Sequence, residues 1–146
     1  MRRISSILIA AAMFCLLSSS VFSQEQKKEP HYFVIQTWKV TIPEDGSRAE
    51  LNELMKEWAE KITRKNDKVI SERVVRHNMS SDSRDIIFIT EYATWNDIDA
   101  ASDKQSELLK AAYPNDEERR AFNRKIGRYF NKHSDEIFQE VPSFGK

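Results

Sequence analysis

The chain has 146 residues, 23 of them basic and 23 acidic, for a formal net charge of +0, and 40% of its residues are hydrophobic. Balanced charge leaves no clustered Lys/Arg footprint for nucleic acid. The length suits a single domain that buries an ordinary core without staples.

Met1, Arg2 and Arg3 form a short basic start, and residues 4–17 are apolar except for Ser5 and Ser6. This layout is that of a secretory signal peptide. The apolar run gives way to Ser18, Ser19 and Ser20 short of the ~20 residues that a membrane-spanning helix needs, so an uncleaved anchor is the weaker alternative. Val21-Phe22-Ser23 offers a cleavage site, and residues 1–23 are expected to be removed before Gln24. The mature protein is then exported to the periplasm or beyond the cell, with no stable membrane insertion. Losing Arg2 and Arg3 moves the net charge from +0 to about −2. The single cysteine, Cys15, lies inside the apolar run behind Phe14, where a lipoprotein signal places a small residue. The mature chain therefore has no disulfide, no thiolate nucleophile and no cysteine-ligated metal.

Residues 24–30 are polar and read as a flexible leader, so the domain spans 31–146. His31 to Thr41 is dense in aromatic and β-branched residues and stops at the turn Pro43-Glu44-Asp45-Gly46, which makes it a strand. Both of its faces are largely apolar, which predicts cover on both sides. Ser47 with Glu50 has capping-box spacing. The apolar stripe Leu51, Leu54, Met55, Trp58 and Ile62 then predicts a helix reaching Asn66, with Trp58 as core packing. Lys68 to His77 and Arg84 to Tyr92 form a hairpin of two strands, with the register open by about a residue because the turn is long. Thr94, with Asp97 behind it, caps a second helix that ends at Tyr113-Pro114. Asn115 begins a third, with Asp116, Glu117 and Glu118 in its first turn, where the helix dipole favours acids. Its apolar side is Phe122, Ile126, Tyr129 and Phe130. His133-Ser134-Asp135 is expected to be a polar link, and Glu136 to Val141 a short final strand stopped by Pro142.

The order is that of a ferredoxin-like α+β fold, βαββαβ, with an extra helix before the last strand. Right-handed crossovers place both main helices on one face of a four-stranded antiparallel sheet and leave the other bare. Aromatic and β-branched residues occupy both sides of the first strand, and Ile86 and Phe88 oppose Ile87 and Ile89 across the third. At ~25 cal/mol per Å², covering several hundred Å² of such a surface is worth several kcal/mol. A homodimer with sheets face to face is the expected result.

This organisation resembles the dimeric α/β-barrel superfamily, which includes antibiotic-biosynthesis monooxygenase-like, EthD-like and NIPSNAP-like domains. The resemblance covers His31 to about Phe144. It is carried by element order, by the hairpin running into a Trp-containing helix start (Ile89-Thr90-Glu91-Tyr92-Ala93-Thr94-Trp95), and by the final Asp135-Glu136-Ile137-Phe138. It implies a cavity between sheet and helices and, in some members, cofactor-independent monooxygenation of aromatic substrates. Haem-degrading relatives use an axial histidine near the end of the second helix. Residues 108–113 here have none, leaving Tyr113 as the conceivable ligand.

Nothing in the residues matches a phosphate loop, a nucleophile elbow or a metal-ligand spacing, and the three glycines cannot build a phosphate cradle. No cofactor and no metal are predicted. Of the histidines, His31 and His77 read as surface residues. His133, close to Asp135 and Glu136, is a candidate general base, although placement at a helix end explains it as well. The predicted catalytic residues are His133 and Glu91. The predicted substrate-binding residues are Gln36, Trp38, Glu72, Tyr92 and Trp95, with aromatic rings to stack a planar ligand and a carboxylate or imidazole to take its proton. The expected ligand is small and mostly apolar or aromatic. The competing expectation is a non-enzymatic exported protein whose cavity is filled and whose dimer serves binding or structure.

Overall fold

The computed structural model describes residues 29–79 and 81–145. The predicted signal peptide (1–23) and the first part of the predicted leader (24–28) lie outside those residues. Strand β1 (Tyr32–Val40) is followed by helix α1 (Arg48–Lys61), strands β2 (Ser71–Arg76) and β3 (Asp85–Tyr92), helices α2 (Asn96–Ala112) and α3 (Asp116–Gly127), and strand β4 (Phe130–Gln139). The four strands form one sheet in the order β2-β3-β1-β4, and every pairing is antiparallel. This is the ferredoxin-like α+β arrangement with one added helix. Among the described residues no helix is long and apolar enough to cross a membrane.

Local chemistry sets the helix ends. Ser47 Oγ accepts the Glu50 amide at 3.0 Å and caps α1. The return half of a capping box is occupied by a third residue: the Ser47 N–H donates to the Tyr129 hydroxyl at 3.2 Å, and that hydroxyl donates to the Glu50 carboxylate. Thr94 and Asp97 make a complete reciprocal box one residue ahead of α2, through Thr94 N–H to Asp97 Oδ2 at 3.2 Å and Asp97 N–H to Thr94 Oγ1 at 3.3 Å. Asn115 Oδ1 accepts the Glu117 and Glu118 amides at 2.8 and 3.2 Å at the start of α3. The bonds to the Glu50, Asp97, Glu117 and Glu118 amides satisfy first-turn donors that a helix itself leaves without a partner.

Helix α1 ends at Lys61, short of the expected Asn66, and a 3₁₀ turn fills Thr63–Lys65. Asn66 fixes this end. Its side-chain amide donates to the Ala101 carbonyl at 2.9 Å and its Oδ1 accepts the Lys68 amide at 3.1 Å, tying the chain to α2. The apolar core lies between sheet and helices and is built from Val40, Leu51, Leu54, Ile86, Tyr113, Phe122 and Tyr129.

Strand β4 departs from expectation. Residues 133–135 are not a link but the middle of a ten-residue strand that pairs with β1 from Val40↔Phe130 to Tyr32↔Gln139. The run Asn131 to Asp135 has no apolar alternation because β4 is an edge strand, exposed along most of its length. Backbone pairing with β1 and cross-strand side-chain bonds such as Asn131 Nδ2 to Thr41 Oγ1 at 2.7 Å hold it instead. His133 is accordingly a strand residue opposite Trp38.

Alternation along the strands gives the sheet two unlike faces. Gln36, Trp38, Glu72, Val74, Phe88 and Phe130 lie on the helix side, where they border a cavity. Phe33, Ile35, Ile87 and Ile89 point to the other side and are half-buried, flanked by Val75 at 43% and Phe138 at 47% exposure. Arg73 and Glu136, which sit across from Ile89 and Ile35 respectively, add charge to that face. It carries an apolar centre with charges around it.

Candidate functional site

A cavity of about 460 Å³ separates the helices from the sheet. Three adjacent strands supply its floor. Val74, Phe88 and Gln36 lie on one rung of β2, β3 and β1, with Glu72 one alternation away on β2 and Trp38 one alternation away on β1, in the opposite direction. The roof comes from Met55, Trp58 and Ala59 of α1, Gln105 of α2, and Asn123, Ile126 and Gly127 of α3. The helix added to the basic topology is therefore part of the cavity wall.

The walls are aromatic and interlocked. Trp38 meets Phe130 edge-on with centroids 5.4 Å apart, Phe88 lies 6.3 Å from Phe130, and Trp58 stacks on Phe122 at 6.4 Å. Rings held by other rings present rigid apolar faces to a ligand. Three amides, Gln36, Gln105 and Asn123, and a single charged side chain, Glu72, complete the lining. Mostly apolar walls with a few convergent polar groups are the usual composition of a small-molecule site.

Burial raises the Glu72 carboxyl above its ordinary range, and hydrogen bonds from Thr90 and Thr63 offset part of that rise. The Thr90 hydroxyl donates to Glu72 Oε2 at 3.3 Å. Tyr92 stands nearby, its hydroxyl pushed up by burial and by the Glu72 charge. Because folded Glu72 holds its proton more tightly than an unfolded carboxyl near 4.5, its contribution to stability is full below that pH and is lost as the pH rises through the raised value. The variant Glu72→Gln keeps the uncharged state at every pH. Differential scanning calorimetry is expected to show it melting above wild type at pH 8 and close to wild type at pH 4; equal differences at both pH values would refute the sign.

The structure brings together three of the predicted site residues: Gln36, Trp38 and Glu72 all border the cavity. Tyr92 lies behind Glu72. Glu91 is on the opposite face of the sheet, where it binds His31 Nδ1 at 2.7 Å and the Ser71 hydroxyl at 2.6 Å. Trp95 is 54% exposed and packs edge-on against Tyr32 at 5.8 Å. His133 stacks on Trp38 with centroids 4.1 Å apart, and its Nε2 lies 3.2 Å from Asp135 Oδ2 with the imidazole 44% exposed. Gln36 Nε2 in turn donates to Asp135 Oδ1 at 2.9 Å. His133 and Asp135 thus reach the cavity through Trp38 and Gln36 rather than bordering it. Tyr113 is turned away: its hydroxyl donates to Glu57 at 2.7 Å, and burial first, then Glu57, pushes it up to about 12.

Met55, Trp58, Phe88, Gln105 and Asn123 are site residues that the sequence did not single out. Trp58 fits a core stripe equally well, and Gln105 and Asn123 look like solvated helix positions. Only the tertiary placement of α2 and α3 over the sheet gives these side chains a common purpose.

No protein-family model matches the chain, and no curated protein matches it. Among solved structures, 41 chains match. One is a putative antibiotic biosynthesis monooxygenase from Caulobacter crescentus, 13% identical, with a TM-score of 0.51 over 78% of this chain and 92% of that one. A mutant form of a cofactor-independent oxygenase from Streptomyces nogalater is 9% identical, with a TM-score of 0.50 over 80% and 98%. A dimeric ferredoxin-like protein from an uncultured marine organism is 14% identical, with a TM-score of 0.52 over 82% and 95%. These likenesses bear out the resemblance read from element order and place the chain, by fold, beside antibiotic-biosynthesis-monooxygenase-like ferredoxin-fold structures.

Proposed function

We propose that this chain is an exported small-molecule-binding protein, working as a homodimer joined through its open sheet faces, and that each protomer takes a small, mostly apolar aromatic molecule into the cavity between sheet and helices. The observation that carries this reading is the cavity itself: about 460 Å³, walled by aromatic rings, with one charged group. A volume of that size suits a ligand of drug-like dimensions. Support for the dimer is the apolar centre of the open face, which its own helices do not cover, together with the word "dimeric" in the name of a structural neighbour. Export rests on the N-terminal pattern of Arg2, Arg3 and the apolar run after them; a mature mass beginning at Gln24 is its test.

Cofactor-independent monooxygenase-like activity extends the reading by one step. Proton abstraction from a bound hydroxyl or activated carbon requires a base inside the cavity, and Glu72 is the group in place for it, with a basicity increased by burial. Binding without turnover is the competing outcome, and the structure favours it to the extent that His133 stands outside the lining.

Titration with the neutral fluorophore N-phenyl-1-naphthylamine tests the binding reading, since its emission rises in an apolar site and Trp38 and Trp58 report its arrival by quenching. Ala59→Phe, which fills the roof from a helical position, is expected to weaken binding at least about tenfold, roughly 1.4 kcal/mol, with the circular dichroism unchanged. Unchanged binding in a folded Ala59→Phe protein would place the probe elsewhere.

A further inference from the structure

Charge decides which aromatic ligands the cavity accepts, and its charge has one sign. Of the residues that border it, Glu72 alone is ionisable. Among the described residues no lysine, arginine or histidine pairs with it; its hydrogen-bond partners are the neutral hydroxyls of Thr90 and Thr63. The nearest cation on the same strand face is Arg76, two alternations along β2. It is committed to Asn52 Oδ1 at 2.7 Å and borders a separate, smaller cleft on the far side of Val74. The second carboxylate on this face of the sheet, Asp135, accepts a bond from the cavity residue Gln36. An anionic ligand entering here would meet Glu72 and, among the residues that border the cavity, no cationic side chain; His133, on the same face, stands outside the lining with its Nε2 3.2 Å from Asp135 Oδ2.

The remaining walls point the same way. Trp38, Trp58, Phe88 and Phe130 border the same cavity, and the faces of such rings attract cations through their quadrupoles, tryptophan most strongly. A half-buried carboxylate that lacks a protein counter-ion, set among several aromatic rings, is the combination that receives an organic ammonium ion. The ligand then supplies the missing positive charge, and its apolar body fills the rest of the volume.

We propose that the cavity is selective for cationic aromatic amines, the ammonium group seated at the Glu72 carboxylate and the aromatic body between the indole and phenyl walls. The proposal rests on the reading of the cavity as a binding site and adds the charge class of its ligand. It assigns specificity to Glu72, with Gln36, Gln105 and Asn123 as neutral supports that accept or donate hydrogen bonds around the edge of the bound molecule.

Three probes that share one ring system separate the two claims: 1-naphthylmethylamine as the cation, 1-naphthalenemethanol as the neutral analogue and 1-naphthoate as the anion. Each is titrated calorimetrically at pH 7.5 into the mature protein, Glu72→Gln and Ala59→Phe. The expected order for wild type is cation, then alcohol, then anion, with about tenfold or more between the first two. In Glu72→Gln the cation's advantage over the alcohol is expected to vanish, and in Ala59→Phe all binding weakens. An alcohol that binds at the cavity while the anion matches or exceeds the cation overturns the charge assignment and leaves the binding reading standing. A cation preference that survives Glu72→Gln overturns the role of Glu72. Failure of all three probes to bind overturns the binding reading and the charge assignment together.

Discussion

Substituting Gly46 by alanine is expected to destabilise the protein by about 1–3 kcal/mol, the usual cost of forcing a methyl group into filled space. Gly46 closes the turn after β1, its amide donating to the Pro43 carbonyl at 3.0 Å. A Cβ placed on it would come within 2.5 Å of the Tyr129 hydroxyl and 3.0 Å of Pro43 Cδ. Neither obstacle is the loose end of an exposed side chain. Tyr129 is 0% exposed, and its hydroxyl is held between the Ser47 amide and the Glu50 carboxylate at the start of α1. The phenol cannot retreat without breaking the arrangement that fixes that helix end.

A double-mutant cycle makes the explanation specific. Tyr129→Phe removes the hydroxyl, leaves the Ser47 amide unanswered and is destabilising by itself. It also removes the atom that the new methyl group would strike. Gly46→Ala in the Tyr129→Phe background should therefore cost less than it does in wild type, and the sum of the single effects should exceed the effect of the pair. Urea unfolding of the four proteins measures this. Strict additivity would mean that the methyl group is resisted by Pro43 Cδ and by the ring carbon Cζ of Tyr129, 3.0 and 3.1 Å away, rather than by the hydroxyl.

The residues involved also show what a sequence can disclose. Ser47, Thr94 and Asn115 are legible as helix starts because capping is local, an oxygen meeting amides two or three residues away. That Tyr129 would enter the Ser47–Glu50 box from 79 positions beyond Glu50 has no local signal. The same contrast separates Glu72 from Glu91. Both interrupt apolar strands, and the long hairpin turn leaves the register of β2 against β3 open. The observed pairing Glu72↔Thr90 puts Glu72 on the helix side, whereas Glu91 sits opposite Phe33 on the open side. A one-residue slip would exchange the faces of the β2 residues relative to β3. The polar first half of β4 was hidden for another reason: an edge strand needs only β1 to define it, so its side chains are free of the alternation that marks a strand with one buried face.

Ile89→Glu is expected to convert the proposed dimer into a folded monomer. Ile89 lies at the centre of the open face, directly across from Ile35 on β1 and Arg73 on β2. Within a monomer a glutamate there has water on one side and the Arg73 guanidinium as a cross-strand neighbour, so the sheet should tolerate it. Between two packed sheets it loses the ~1.5–3 kcal/mol gained by covering an isoleucine and faces several kcal/mol of desolvation. Two-fold symmetry applies both penalties twice. An increase of at least about 100-fold in the dimer dissociation constant follows, equivalent to roughly 2.8 kcal/mol. Sedimentation equilibrium on wild type and variant reads it directly, and circular dichroism checks that the variant is folded. Trp95→Ala is the control, since Trp95 is more exposed than the apolar residues of the open face but packs on Tyr32 on the helix side of the sheet; it should leave the association unchanged. If Ile89→Glu remains dimeric, or if Trp95→Ala is the variant that dissociates, the two copies meet through some surface other than the open sheet. The apolar centre formed by Phe33, Ile35, Ile87 and Ile89 would then need a different occupant.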